Sequence, residues 1–336
     1  MKHLFELALG AITFSPVVLW AQADPGTVLQ IDTQDLVWYV YDATSFSDFA
    51  KAPTLTTATP GNRNFRTWTA ITDIVAVNGK PAKGVFTNRS IVISLTPTPA
   101  NGQAIADVER FVQLQIVAEI LQMDGTPVGS LMMLGYFGGP PPPGTPPSAP
   151  SDSGANLAVV GGSGAFVGVR GQASQFFTPA AQRSGASVAE DPGFRRQLGG
   201  SKTRIVAHIY PMARPTVLQT SSGPGLFHSD FTPVTGSSPA RVGETLIAQA
   251  TGLGPTLPGV DPGQPFPAAP LQQVNSPVEV LINGKPVTVI NKFGWPGLVG
   301  VYRIDFQVPD GTTAGTATIQ LSAAWIDGPS VSLPVR

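Results

Sequence analysis

The sequence predicts an all-β protein made of two domains. Residues Ile105 to Gln122 alternate between apolar and polar side chains, and a period of two indicates a half-buried strand. The pairs Asn78-Gly79 and Asp124-Gly125 favour the tight turns of β-hairpins. With 37 glycines and 34 prolines, and no helical periodicity longer than two turns after the N-terminal segment, the chain is expected to consist of short strands joined by turns.

The first residues have the pattern of a targeting segment. Lys2 and His3 precede an apolar stretch from Leu4 to Trp20, and Ala21-Gln22-Ala23 places small residues where signal peptidase cleaves. We predict a signal peptide over residues 1–23, and therefore a secreted, periplasmic or cell-surface protein. The alternative is a short N-terminal helix of the folded domain. No later segment is apolar enough over sufficient length to suggest a membrane span.

Residues 24–212 are predicted to form the first domain and residues 213–336 the second. Predicted strands of the first domain cover residues 36–41, 65–77, 85–95, 105–122, 127–137 and 202–210, with further strand signals between 156 and 177. The proline-rich tract from Gly138 to Pro150 interrupts this series, and we expect a solvated loop there; the alternative is a lid or a segment that docks on a partner. Strands of the second domain are predicted at 245–250, 278–282, 287–291, 302–308, 316–323 and 330–335, which suits a β-sandwich.

Composition excludes several classes of function. Lys plus Arg number 20 against 21 Asp plus Glu, so there is no basic excess of the kind that binds nucleic acid. The absence of cysteine excludes disulfides, thiolate metal sites and cysteine nucleophiles. A strand pattern rather than a helix follows Gly161-Gly162-Ser163-Gly164, which argues against a nucleotide site. We expect neither cofactor nor metal.

The segment from Ala158 to Gly171 contains the glycine cluster and the run Ala165-Phe166-Val167-Gly168-Val169-Arg170. It resembles the glycine-rich hairpin of dirigent proteins and allene oxide cyclases. In that superfamily the hairpin joins two strands of an eight-stranded antiparallel barrel. The resemblance implies such a barrel over residues 30–212, which would hold an apolar reactive ligand beside Asp, Arg and Tyr side chains of its lumen.

A second resemblance covers about 100 residues near the C-terminus. Pro296 to Gly311, with Gly243-Glu244-Thr245-Leu246 and Val280 to Pro286, is similar to the IPT/TIG immunoglobulin-like module of uncharacterised secreted bacterial proteins. The resemblance implies an immunoglobulin-like β-sandwich outside the cell that acts as a spacer or an adhesive domain.

Candidate site residues are those that could line the lumen of the barrel. Only 12% of the residues are charged. A charged side chain on an apolar strand face is therefore a candidate, because it must be paired or reach an opening. Tyr210 and His208 could act together as an acid–base pair, and Trp68 could contact a ligand. The candidates are Asp73, Arg110, Trp68, Tyr210 and His208. The alternatives are a strand-end or rim position for Asp73 and Arg110, an outer polar face for His208, and plain core for Trp68.

These patterns favour an exported, non-enzymatic binding protein whose barrel takes a small apolar ligand or a partner. A barrel isomerase, cyclase or dirigent-type coupling protein is the first alternative, and a structural envelope or matrix component is the second. A cell-surface or matrix partner and a homo-oligomer are compatible with each of them.

Overall fold

The computed structural model describes residues 26–41, 64–94, 110–137, 155–177, 185–187 and 189–336. The predicted signal peptide and the proline-rich tract lie outside the described residues. Strands and the loops between them make up nearly all of the described chain, with a 3-10 turn at Pro192–Phe194 and one short helix, α1, at Arg195–Leu198. No helix in these ranges has the length and apolarity needed to cross a membrane. The prediction of an all-β protein is confirmed.

Eight strands close into an antiparallel barrel. They are β1 Thr27–Tyr41, β2 Asn64–Val77, β3 Lys80–Ser94, β4 Arg110–Leu121, β5 Pro127–Phe137, β6 Ala155–Gly164, β7 Arg170–Phe177 and β9 Ser201–Tyr210. Consecutive strands of the circuit pair with one another, and β1 pairs with both β2 and β9, so the sheet has no free ends. The three-residue strand β8, Gly185–Ser187, adds in parallel to β1 outside this circuit.

The two ends of the barrel differ, and we call them the base and the mouth. The base contains the tight turns, including Asn78-Gly79, whose φ angles of 50° and 73° give the predicted hairpin turn. The mouth is the end at which β1, β3 and β5 finish, and the chain there continues into residues 42–63, 95–109 and 138–154. The base half of the lumen is filled by apolar side chains that are at most 2% exposed, including Leu29, Ile31, Phe86, Ile116, Ile120, Leu131, Met133, Ile205 and Ile209.

The C-terminal part of the chain forms a β-sandwich. One sheet contains β10 Thr216–Val217, β13 Leu226–His228, β14 Thr245–Thr251, β15 Thr256–Leu257, β16 Gln273–Val274, β19 Val289–Gly294 and β20 Tyr302–Gln307. The other contains β17 Val278–Ile282, β18 Lys285–Val287, β21 Gly315–Ala323 and β22 Ile326–Val335. A small hairpin of β11 Gln219–Thr220 and β12 Gly223–Pro224 stands beside them. One apolar cluster joins the two sheets, with Ala248, Ile304 and Phe306 from the first and Val280, Ile319 and Leu321 from the second.

A hairpin of the sandwich closes the base of the barrel. The turn between β21 and β22 consists of Ala324 and Trp325, and both have positive φ, 50° and 61°. Residues other than glycine and asparagine adopt this backbone conformation at a cost of roughly 1–2 kcal/mol each. Ala324 and Ile326 are 1% and 3% exposed within the barrel's own apolar cluster, and Trp325 packs against it. Burial in the barrel therefore holds the turn in its strained form.

Polar contacts surround this hairpin. Lys80 of the barrel forms an ion pair with Glu279 of the sandwich, and the Gln122 side-chain amide donates to the backbone oxygen of Asn275. The guanidinium of Arg214 donates to the backbone oxygens of Gly26, at 3.0 Å, and of Asp327, at 2.8 Å. The two parts of the chain thus meet through both an apolar insertion and a polar rim.

Residues 189–198 form a strap on the outside of the barrel. Val37 and Tyr39 alternate with the lumen-facing Trp38 and so lie on the outer face, yet they are 0% and 4% exposed. The Tyr39 hydroxyl donates to the backbone oxygen of Pro192 at 3.4 Å. The strap therefore gives β1 a buried outer face in addition to its buried inner face.

Candidate functional site

The mouth half of the lumen contains buried polar side chains beside apolar ones such as Leu36, Leu114 and Leu157, whereas the base half is filled by apolar side chains. The uncharged polar side chains of the mouth half are at most 3% exposed and come from β1, β2, β3, β7 and β9: Thr33, Thr72, Asn88, Ser90, Gln175, Ser201 and Thr203. The hydroxyls of Thr33 and Thr203 bond each other at 2.9 Å, and the Thr72 hydroxyl donates to the Gln34 backbone oxygen at 2.6 Å. We call this set the polar layer.

Two amide groups of the polar layer are incompletely bonded. Asn88 Oδ1 accepts from the Ser90 hydroxyl at 3.1 Å, but Asn88 Nδ2 is buried and has no hydrogen-bond partner among the described residues. Gln175 Nε2 is likewise buried without a partner in this part of the chain. Asn88 lies on β3 and Gln175 on β7, four strands apart in a circuit of eight, so they belong to opposite walls. Buried polar groups are nearly always bonded in native proteins, so two such donors around one lumen mark it as a candidate site.

An aromatic pair stands beside the polar layer. The rings of Trp38 on β1 and Trp68 on β2 meet edge to face, with centroids 5.5 Å apart and planes inclined by 62°. Trp68 packs against the apolar core and is paired in the strand register with Ser90 of the polar layer. Trp38 is paired with Ala70, and Ala70 is paired in turn with Asn88, so both tryptophans lie next to the polar layer. The mouth half thus combines flat apolar surface with hydrogen-bond donors.

The structure places Trp68 in the lumen, as expected, but corrects the positions expected for His208 and Tyr210. Burial along β9 alternates, and Ser201, Thr203, Ile205, Ala207 and Ile209 are the inward residues. His208 and Tyr210 have the opposite parity and lie on the outer face, where Tyr210 is 52% exposed. The physical reason is that period-two alternation sends neighbouring residues to opposite faces.

Asp73 also lies on the outer face, which corrects the expected lumen position. It alternates with the inward residues Thr72 and Ile74, and its carboxylate binds two arginines of the strap. Arg195 donates to Oδ1 at 2.6 Å, and Arg196 donates to Oδ2 at 2.7 Å. Burial opposes ionisation of Asp73, but the hydrogen bonds and charges of Arg196 and Arg195 outweigh it and lower its pKa. This carboxylate fastens the strap to the barrel wall.

Arg110 is the first residue of β4, and its side chain lies outside the described residues. Asn88 and Gln175 were not among the candidates predicted from the sequence. A signal was present for Asn88, because it lies between Phe86 and Ser90 on a strand face that otherwise contains small or apolar residues such as Ala82, Gly84 and Val92. Gln175 follows the glycine hairpin in a short polar segment and gave no comparable signal.

His228, Glu244 and Ser238 lie close enough together for a catalytic triad to be considered. His228 Nδ1 lies 2.6 Å from Glu244 Oε1, and His228 Nε2 lies 3.2 Å from both the hydroxyl and the backbone oxygen of Ser238. Serine, histidine and carboxylate in this order resemble an acyl-transfer triad. A carbonyl oxygen only accepts, however, so its contact with Nε2 favours a protonated nitrogen that is not free to take the serine proton. Pro239, which follows the serine, has no N–H to stabilise an oxyanion.

We therefore interpret this constellation as a brace. Glu244 Oε2 also accepts from the backbone N–H of Arg241 at 2.9 Å, so the one carboxylate links the start of β14 to the preceding loop. In the described ranges, no group of three or more His, Asp or Glu side chains is arranged to hold a metal ion.

Comparisons with known proteins add little to this geometry. No protein-family model matches the chain, and no curated protein matches it. Among solved structures the chain is similar to a polysaccharide lyase at 7% sequence identity, with a TM-score of 0.18. The match covers 81% of this chain and 35% of the lyase chain. A TM-score this low supports no inference about shared fold or activity.

Proposed function

We propose that the barrel binds a small uncharged molecule in the mouth half of its lumen. The observation that carries this proposal is a pair of buried amide nitrogens on opposite walls, Asn88 Nδ2 and Gln175 Nε2, for which the described part of the chain provides no acceptor. Leaving a buried donor unsatisfied costs about 1–3 kcal/mol. A ligand with acceptor oxygens would recover that cost when it enters.

The chemistry around these amides supports a largely apolar ring compound. Trp38 and Trp68 supply aromatic surface, and the polar layer supplies only uncharged groups. None of the described lumen side chains is ionisable, so these residues would give an ionic ligand no counter-charge in return for its lost hydration. We expect a neutral ring with one or two carbonyl, ether or hydroxyl oxygens, of the size that an eight-stranded barrel admits.

Binding is favoured over catalysis by the same residues. An isomerase, cyclase or coupling protein uses a positioned acid or base beside its ligand. The described lumen provides donors and apolar surface, which support binding directly. Turnover of the bound compound by the purified protein would instead favour the barrel isomerase or coupling protein.

We also propose that the chain is exported and that the sandwich supports the barrel outside the cytoplasm. The residues that support export are those of the predicted signal peptide, and N-terminal sequencing of the exported protein should begin at Asp24. A mature protein that retains Leu4 to Trp20 would contradict this part of the proposal.

The lumen site can be tested by intrinsic tryptophan fluorescence, because Trp38 and Trp68 lie beside the polar layer. The probes are a panel of neutral mono- and bicyclic ketones and aryl ethers, with matched carboxylates as charged controls. We expect saturable binding of at least one neutral probe and none of its charged counterpart. Gln175→Met should weaken binding at least tenfold, which corresponds to about 1.4 kcal/mol for a lost hydrogen bond.

The matched control is Gln172→Met, which changes an exposed residue on the outer face of the same strand. It should bind the probe as the unmodified protein does. An equal loss of probe affinity in Gln175→Met and Gln172→Met would place the ligand outside the lumen. Unchanged probe affinity in both Trp68→Phe and Gln175→Met would do the same.

A further inference from the structure

The turn from His228 to Thr232 holds an aromatic residue in a conformation that usually belongs to glycine. Phe231 has φ +67° and is 50% exposed. Its N–H donates to the His228 oxygen at 3.0 Å, the His228 N–H donates to the Thr232 oxygen at 2.9 Å, and Asp230 Oδ1 accepts from the Thr232 N–H. Glycine or asparagine would satisfy the same turn with less strain.

A bulky residue in the left-handed region is a strained outlier, and such outliers cluster at functional sites. Phe231 is also half exposed to water. Burial of its side chain can therefore offset only part of the backbone strain. The side chain of Phe231 therefore calls for an explanation beyond the turn itself.

The ring of Phe231 contacts the planar side chains of Trp295 and Arg303. Its centroid is 6.1 Å from that of Trp295, with the planes inclined by 60°. The Arg303 guanidinium lies 5.2 Å from the Phe231 centroid and 5.6 Å from that of Phe293, in cation–π contact with both. Strand pairing of Phe293 with Arg303 places these two side chains next to each other on one face of β19 and β20.

The charge beneath the rings is compensated. Arg303 donates to Asp305 through Nε at 2.7 Å and through a second nitrogen at 3.1 Å, and Asn291 Nδ2 donates to the same carboxylate at 2.9 Å. Asn291 is paired with Asp305 in the register and is exposed. The surface formed by Phe231, Trp295, Phe293, Arg303 and Asn291, which we call the aromatic platform, thus offers ring faces and planar polar groups without net charge.

We propose that the aromatic platform binds a neutral carbohydrate. A sugar ring has one face rich in C–H groups, which packs on an aromatic ring, and a periphery of hydroxyls, which bond amide and guanidinium groups. The internal Arg303–Asp305 pair leaves no free charge to attract an acidic polymer or a phosphate. The proposal is independent of the lumen site, because the platform lies on the sandwich.

The test uses the full chain in affinity electrophoresis through gels containing soluble neutral polysaccharides, namely starch, mixed-linkage β-glucan, galactomannan and arabinoxylan. Alginate and polygalacturonate serve as acidic comparisons. We expect retardation by at least one neutral polymer and by neither acidic polymer. Phe231→Gly removes the ring and relieves the left-handed strain, so it should weaken that binding at least tenfold while the unfolding midpoint stays equal or rises.

Leu257→Ala is the matched control, because Leu257 is another exposed apolar residue of the sandwich, at 57% exposure. It should leave retardation unchanged. The proposal is overturned if no neutral polymer retards the protein, if the acidic polymers retard it equally, or if Phe231→Gly binds as before. A loss of stability in Phe231→Gly with unchanged retardation would assign the ring to packing. If the unmodified chain binds no polysaccharide but binds a partner protein, and Phe231→Gly loses that partner, the platform is a protein-recognition surface.

Discussion

Gln175 and Asn88 stand on opposite walls of one barrel, and the side-chain nitrogen of each is buried without a hydrogen-bond acceptor among the residues that the structure describes. The hydroxyls of Thr33 and Thr203 in the same layer, by contrast, satisfy each other. The two amides therefore differ from the paired hydroxyls of the same layer, and this difference has a measurable effect on stability.

Gln175→Met should raise the free energy of unfolding by about 1–2 kcal/mol, because it removes an unpaired buried donor while keeping the volume of the side chain. Urea denaturation measures the change. The outer-face control Gln172→Met should stay within about 0.5 kcal/mol of the unmodified protein. A fall in stability for Gln175→Met would show that the amide already has a partner in solution.

The hairpin that closes the base should couple the sandwich to the barrel. Ile326→Ala is expected to cost about 2–5 kcal/mol, because it opens a cavity in the barrel's apolar cluster. Amide hydrogen exchange should show reduced protection at Ile116 and Ile205, which lie in the barrel. Leu333→Ala, a deletion in the core of the sandwich, is the control and should first reduce protection within the sandwich. Loss of protection confined to β21 and β22 in Ile326→Ala would contradict the coupling.

The Asp73 carboxylate should hold the strap in place. Asp73→Asn leaves Arg195, whose side chain is 6% exposed, without its charged partner, at a cost of about 3–5 kcal/mol. Tryptic cleavage after Arg195 and Arg196 should therefore accelerate. The control is Asp32→Asn, which removes an ion pair with Arg204 whose side chains are 25% and 47% exposed, and it should cost less than about 1 kcal/mol.

The same carboxylate predicts a pH dependence of definite sign. The pKa of Asp73 in the folded protein lies below its ordinary value of 3.8, so its contribution to stability is complete above pH 3.8. That contribution is lost as the pH falls from 3.8 through the folded pKa. Protection factors in the strap, which correct hydrogen exchange for its intrinsic pH dependence, should stay high at pH 5 and fall only in stronger acid, and Asp73→Asn should abolish this acid-dependent step. A loss of protection that begins near pH 6 would point to another group.

The glycine hairpin should tolerate a methyl group at one position and not at its neighbour. A Cβ on Gly162 would lie 2.6 Å from the backbone oxygens of both Phe166 and Ser130, whereas the nearest atom to a Cβ on Gly161 is Arg170 Nη1 at 3.5 Å. Gly162→Ala should therefore destabilise by about 1–3 kcal/mol or more. Gly161→Ala should be neutral or slightly stabilising, because it restricts the unfolded chain. Thermal unfolding of the two variants side by side provides the comparison.

Much of the strand pattern was predictable from local sequence. The strand predicted at 278–282 is β17, Val278–Ile282, and the predicted turn at Asn78-Gly79 has the expected positive φ angles. On β4 the predicted apolar face, which includes Leu114 and Ile116, is the lumen face. In these segments one face is buried and the other is exposed, so alternation identifies the inner face.

On β2 the same reasoning failed for a physical reason. Asp73 was expected in the lumen, but the lumen receives the opposite parity, with Thr72 and Ile74. The strap reaches the outer wall at Asp73, so outward side chains there are also partly covered and the contrast between the faces is lost. Burial on both faces erases the period-two signal on which the expectation depended.

The sequence by itself determined that this chain forms strands, where the Asn78-Gly79 and Asp124-Gly125 turns lie, and which segments carry few charges, because these properties depend on neighbouring residues. Only the tertiary structure decided that Ala324 and Ile326 close the base, that Arg195 and Asp73 meet, and that two amides around one lumen lack partners among the described residues. These features join residues separated by more than 80 positions in the chain, and their energies arise from burial and pairing that exist only once the barrel has closed.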